Sequence, residues 1–161
     1  MNSKILLAFV LAVNICVIID AAQVYSYEVI VKTADKKFSS HDGKIKISVL
    51  SSDSVKTSQE AFVLTPTDVK IKQDKTYTAT ISSVAPLNNI TCVYLRWSLA
   101  SPYNPVYAVK KPVIYFDPII VSNSVVDPNT QISVSASRKF CPATIPIAIK
   151  HADGASFDAC T

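Results

Sequence analysis

Lys44-Ile45-Lys46-Ile47-Ser48-Val49 alternates polar and apolar side chains without a break. In an extended chain successive side chains point to opposite faces. This stretch therefore lays two isoleucines and a valine on a core and leaves its lysines in water. The same alternation recurs on either side. Upstream, Tyr25, Tyr27, Val29 and Val31 alternate with Ser26, Glu28 and Lys32, although Ile30 breaks the polar face. Downstream, Val69 and Ile71 alternate with Lys70 and Lys72, and Tyr77, Ala79 and Ile81 stand opposite Thr76, Thr78 and Thr80. Ile132, Val134 and Ala136 likewise oppose Gln131, Ser133 and Ser135.

Denser apolar runs at 61–64, 91–97 and 113–121 predict strands covered on both faces. Turn chemistry separates the runs: Asp42-Gly43, Thr65-Pro66-Thr67-Asp68, Gln73-Asp74, Leu87-Asn88-Asn89, Ser101-Pro102 and Asp127-Pro128-Asn129. No stretch reads as a helix. About eight short strands at fairly regular spacing predict an all-β fold, a single antiparallel β-sandwich. Pro118 cannot donate to a strand ladder, so it places the longest apolar run at an edge or a bend. Neither an internal repeat nor a low-complexity linker divides the chain, and one domain over 23–161 is expected.

A leader precedes this domain. Lys4 gives a positive start, Ile5 to Ile19 an apolar core interrupted only by Asn14 and Cys16, and Ala21-Ala22 a pair of small residues. That order is the grammar of a signal peptide over 1–22, and the core is short for a membrane span. Asp20 stands where a small residue is preferred, so cleavage is placed only near Ala22. The competing reading is a retained membrane anchor. The expected product is a secreted, extracellular protein that does not span a membrane.

Cleavage would remove Lys4 and Asp20 together and leave the net charge at +4. The lysines are scattered; Lys36-Lys37 and Lys110-Lys111 are the only adjacent pairs. A nucleic-acid partner is not expected, because such a binder carries a denser basic stripe. Solvated surface charge accounts for the excess, with mild attraction to anionic lipid headgroups or acidic glycans as the sharper alternative.

Cys16 leaves with the leader, and Cys92, Cys141 and Cys160 remain. An odd number means one bridge and a spare thiol, or an intermolecular bond. Cys141 and Cys160 are nearest in sequence, and joining them would staple an otherwise frayed C-terminal strand onto the domain. A loop of that length contributes roughly 3 kcal/mol in the chain-entropy account. Cys92, between Thr91 and Val93, reads as a small buried apolar residue.

Catalytic machinery is not legible. Gly43 and Gly154 are the only glycines, which removes phosphate-cradling loops and the nucleophile elbow. His41 beside Asp42 and His151 near Asp153 form no local arrangement with a serine, and no His or Cys pair has zinc-ligand spacing. Asp35, Asp42, Asp53 and Asp74 fall in expected loops, where a solvated or turn-capping role is the ordinary one and calcium the alternative. No enzyme activity, no cofactor and no metal site are expected. Asn89-Ile90-Thr91 is an N-glycosylation sequon in an expected loop.

The run 131–141, ending in Phe140-Cys141, with a closing Cys160, resembles the tail of secreted triglyceride lipases, which end in a PLAT (lipoxygenase-like) β-sandwich. Residues 27–33 resemble the first strand of that module and 43–49 the second. Val93-Tyr94-Leu95-Arg96-Trp97 resembles a central strand that often bears a tryptophan. The resemblance covers Tyr27 to Cys160 and includes no catalytic domain. It implies a non-catalytic module that docks on a lipid surface or a secreted protein partner.

The loop segment 101–107 with Trp97 is the expected docking site. Pro102 and Pro105 stiffen it, and Tyr103 and Tyr107 offer amphipathic contact area. Lys110 and Lys111 stand ready for phosphate headgroups, at about 1 kcal/mol per lysine near an anionic surface. For Trp97 the favoured reading is core, with docking as the sharper alternative; for Tyr103 and Tyr107 capping the sandwich and docking stand side by side. Two other classes compete: a secreted structural or interaction factor without lipid affinity, and a lipid carrier with an internal cavity like the MD-2-related lipid-recognition sandwiches.

Overall fold

The computed structural model describes residues 23–37, 39–53, 57–66, 69–101, 103, 105, 107, 111–126 and 133–161. The leader at 1–22 and Lys110 lie outside the described residues. Eleven strands are described: β1 (Tyr25–Lys32), β2 (His41–Ser52), β3 (Thr57–Val63), β4 (Val69–Ile71), β5 (Thr76–Ser83), β6 (Ile90–Leu99), β7 (Val113–Phe116), β8 (Ile119–Val126), β9 (Ser133–Pro142), β10 (Ile147–Lys150) and β11 (Gly154–Ala159). The number exceeds the expected eight or so for two reasons. Asp117-Pro118 splits one apolar run into β7 and β8, which join different sheets, and β10 and β11 are not among the strands read from the sequence.

The main antiparallel path runs β3-β2-β6-β11-β9-β8-β1-β5, with β4 attached to β2; β7 and β10 form a small second sheet. Ile45, Ile47, Val93 and Leu95 from one half of the path and Tyr27, Val29, Ile119 and Val121 from the other share a single buried cluster. The path therefore folds over on itself, the architecture expected of an all-β sandwich. Its two edges approach where Glu60 Oε1, on β3, accepts a hydrogen bond of 3.2 Å from the Val84 amide just beyond β5.

The alternation of 44–49 is realised in β2: Ile45, Ile47 and Val49 are buried while Lys46 is exposed. The dense runs behave otherwise than expected. β3 is an edge strand whose residues alternate between exposed and half-buried, and β6 buries Val93, Leu95, Trp97 and Leu99 while Arg96 faces water. An antiparallel sandwich covers one face of each sheet and leaves the other wet, so apolar density here does not mean two covered faces.

Polar fastenings tie the layers together. Trp97 Nε1 donates to the Ile149 carbonyl at 2.8 Å, holding the small sheet against the large one. Tyr27 donates to the Ala85 carbonyl at 2.7 Å. Burial first, then Tyr25 and Glu60, pushes the Tyr27 phenol up to about 12.

Cys141 and Cys160 form a disulfide with Cα atoms 5.1 Å apart, as expected. The strand they secure is not a fringe, however. β11 lies between β6 and β9, paired on both sides. Cys92 also departs from expectation: it is half-buried and stands opposite Asp158 on β11, not in the core. Burial raises its thiol pKa, and the Asp158 carboxylate adds to the effect.

Candidate functional site

Strand pairing brings the elements that carry Trp97, Tyr103, Tyr107 and Lys111 to one end of the sandwich. Gly43 on β2 pairs with Leu99 at the end of β6, and Lys150 on β10 pairs with Val113 on β7. The start of β2, the loop after β6 and the turn at His151–Asp153 are thereby brought side by side. Lys32 of β1 pairs with Thr76 of β5, which adds the 33–40 and 72–75 loops to the same end.

Trp97 anchors this end from within. It is completely buried: the indole is core, as favoured for it, and its place among the candidate docking residues is corrected. His41 stacks on it with ring centroids 5.8 Å apart and planes 14° apart, and His151 meets it edgewise, also at 5.8 Å. His151 Nδ1 accepts a 3.1 Å hydrogen bond from the Leu99 amide. Burial, then Lys111 and Arg96, lowers the His151 pKa below its ordinary 6.5, with Asp153 pulling the other way. Three backbone bonds complete the frame: His151 amide to the Pro112 carbonyl, Ala152 amide to the Trp97 carbonyl and Ala100 amide to the Asp42 carbonyl. Ala152 takes φ 66°, the left-handed region, in the tight turn that makes this possible.

Above this frame the tyrosines take different roles. Tyr103 is 93% exposed, whereas Tyr107 is half-buried against the core. Tyr107 also lines a hollow of about 250 Å³ with Asp42, Leu99, Ala100 and Ser101. Lys111 is exposed and lies 4.0 Å from Asp153. Lys36, Lys37, Lys70, Lys72, Lys75 and Lys150 are exposed at the same end, and Lys32 pairs with Asp74 at 3.2 Å.

Asn89 occupies the opposite end. It closes a 3-10 turn, Leu87–Asn89, at the start of β6. Arg138 braces that turn, donating to the carbonyls of Leu87, Asn88 and Ile90 at 3.3, 2.9 and 2.7 Å. Among the described residues no three His, Cys, Asp or Glu side chains gather as a metal would need. Of the aspartates expected in loops, Asp42 instead lies within β2, opposite Lys70 of β4; Asp53 is at the Asn89 end and Asp35, Asp42 and Asp74 are at the other. No helix among the described residues is long and apolar enough to cross a membrane.

The histidine pair around Trp97 is not legible in the sequence, because His41 and His151 are far apart in the chain and reach one indole only through the pairing of β6 with β2 on one side and with β11 on the other. The exposure of Tyr103 had a signal in its Pro-rich polar surroundings.

No protein-family profile and no curated protein matches this chain. Solved structures do. Two lipoxygenase deletion variants with further isoleucine substitutions align at TM-score 0.55 and 13% identity. The alignment covers 86% of this chain and 17% of theirs. A related lipoxygenase structure in complex with arachidonate matches with the same figures, 0.55, 13%, 86% and 17%. The matching part of lipoxygenase is its PLAT β-sandwich. The fold is PLAT-like. At this identity the likeness is one of fold, and the PLAT-like chain spans 17% of the length of the lipoxygenases it matches.

Proposed function

We propose that this protein is a secreted, non-catalytic PLAT-like module that docks end-on to an anionic lipid surface through the Tyr103 end. The observation that carries the reading is Tyr103 itself, 93% exposed at an end of the sandwich that also carries exposed lysines. A tyrosine in this setting places an apolar body and a polar tip at a wet boundary. The surrounding lysines add attraction of about 1 kcal/mol each close to an anionic leaflet. Lys111 belongs to this face, Lys110 adjoins it in sequence, and Tyr107 supports the loop from beneath by packing on the core.

The interior argues against a carrier. Trp97, Tyr27, Phe116, Phe140 and Phe157 are all fully buried and fill the space a lipid chain would need. A sequon at the far end supports the same orientation, since a glycan on Asn89 would point away from the bilayer. A secreted protein partner on the Tyr103 end is the second reading, favoured by the 250 Å³ hollow beside Tyr107. Co-flotation of residues 23–161 with neutral and with anionic vesicles decides between them. Flotation with anionic vesicles that falls on Tyr103→Ser supports lipid docking. Protein left at the bottom with both vesicle types discards it in favour of a protein partner.

A further inference from the structure

Away from the Tyr103 end, the broad outer face of β3, β2 and β6 carries an open groove of about 500 Å³, a volume within the usual range of ligand clefts. Lys46 and Arg96 line it and stand directly opposite one another in the β2–β6 register. Side chains so placed have Cβ atoms about 5 Å apart, and like charges there destabilise the pair. Lys44 lies two positions along β2 on the same face and adds a third positive charge.

Among the described residues no carboxylate is ion-paired with these cations: Asp153, beside the Arg96 partner Gly154, lies 4.0 Å from Lys111 instead. Glu60, the one acid on β3, turns away to accept from the Val84 amide, and Asp42 stands opposite Lys70. Asp158 is displaced along the sheet, opposite Cys92.

Tyr94 supplies the other half of the site. On β6 it pairs with Ser156, yet its ring reaches over Gly154 on β11 so closely that a Cβ at Gly154 would overlap it. The ring therefore lies down across the sheet and does not stand up from it. Gln59 and Ser48 place an amide and a hydroxyl in the same groove. An open trough with a recumbent aromatic ring, neutral hydrogen-bonding groups and a doubled cation suits a pyranose bearing carboxylate or sulfate. It does not suit an acyl chain, which needs an enclosed apolar tunnel.

We infer that this groove binds an acidic oligosaccharide: the sugar ring packs on Tyr94, and its anionic groups bridge Lys46 and Arg96. The inference is independent of end-on lipid docking, because the groove lies on the broad face of the strands and Tyr103 beyond their end. The test titrates residues 23–161 with a sulfated uronic-acid hexasaccharide, with a neutral hexasaccharide and with anionic vesicles, at low and raised salt. The sulfated probe should bind and the neutral one should not, and the affinity should fall as salt rises. Affinity should drop at least about tenfold in the Lys46→Gln/Arg96→Gln double variant, which loses charge-assisted hydrogen bonds. Tyr94→Leu should weaken binding with charge unchanged, and Gly154→Ala serves as a second probe of the ring position. Equal binding of neutral and sulfated probes would overturn the inference. So would unchanged affinity in the double variant, or loss of vesicle binding alone in that variant.

Discussion

The amide of Leu99 donates a hydrogen bond to Nδ1 of His151, 3.1 Å away, and this bond joins the last residue of β6 to the turn between β10 and β11. The acceptor must be an unprotonated nitrogen. Protonation of His151 would place a hydrogen where the bond is made and a positive charge near Lys111 and Arg96. Tyr103 and Tyr107 follow directly on from Leu99, so the bond also fixes where their loop begins.

The folded state therefore weakens in acid. Because the folded pKa of His151 lies below 6.5, the unfolded chain takes up the proton first as pH falls. The contribution is complete above that value and is lost progressively below it, down through the folded pKa. Thermal melts at about pH 7.5 and about pH 5 should show a drop that is smaller in His151→Gln. Trp97 fluorescence reports the same change, since His151 touches the indole. An equal acid-induced drop in wild type and variant would refute the assignment.

Removing the disulfide should cost about 3 kcal/mol, from the entropy of a loop of this length in the unfolded chain. Urea unfolding of Cys141→Ser/Cys160→Ser measures it. Peptide mapping without reduction should recover the two half-cystines together and Cys92 alone.

Trp97 and Tyr103 should separate stability from binding. Trp97→Phe leaves the Ile149 carbonyl without its donor and should cost about 1–3 kcal/mol. Tyr103→Ser changes a side chain that is 93% exposed and should alter stability by no more than about 0.5 kcal/mol while reducing vesicle flotation. The paired melts and flotation assays test both halves of this statement.

Cys92 should alkylate slowly. Burial, and then Asp158, disfavours its thiolate, so the pH–rate profile with iodoacetamide should be displaced upward from that of a free thiol. Asp158→Asn should move it back down. A profile that ignores the substitution would show that Asp158 does not govern the thiol.

Where a strand buries one face and wets the other, its period is written in the residues. Lys44 to Val49 became the centre of β2 for that reason, and Pro118 separated β7 from β8 because it cannot join a ladder. Gly154-Ala155-Ser156-Phe157-Asp158-Ala159 has one large apolar residue and no alternation to read. It is a strand because β6 and β9 hold it from both sides. The site divides in the same way. Exposed Tyr103 follows from local composition, whereas the facing of Lys46 and Arg96 depends on a register between strands far apart in sequence. The burial of Trp97 turns on which face of β6 points inward, which tryptophan as a residue type does not reveal.

The position of β11 also makes the integrity of the sheet depend on the last strand described. Without residues 154–159, β6 and β9 each lack a neighbour, and two bare edges face one another across a gap one strand wide. The gap lies in the middle of the sheet, where without β11 only the shared core and the Glu60–Val84 contact join the halves. A truncation before Gly154 therefore removes the join between two half-sheets and leaves an inner edge bare on each.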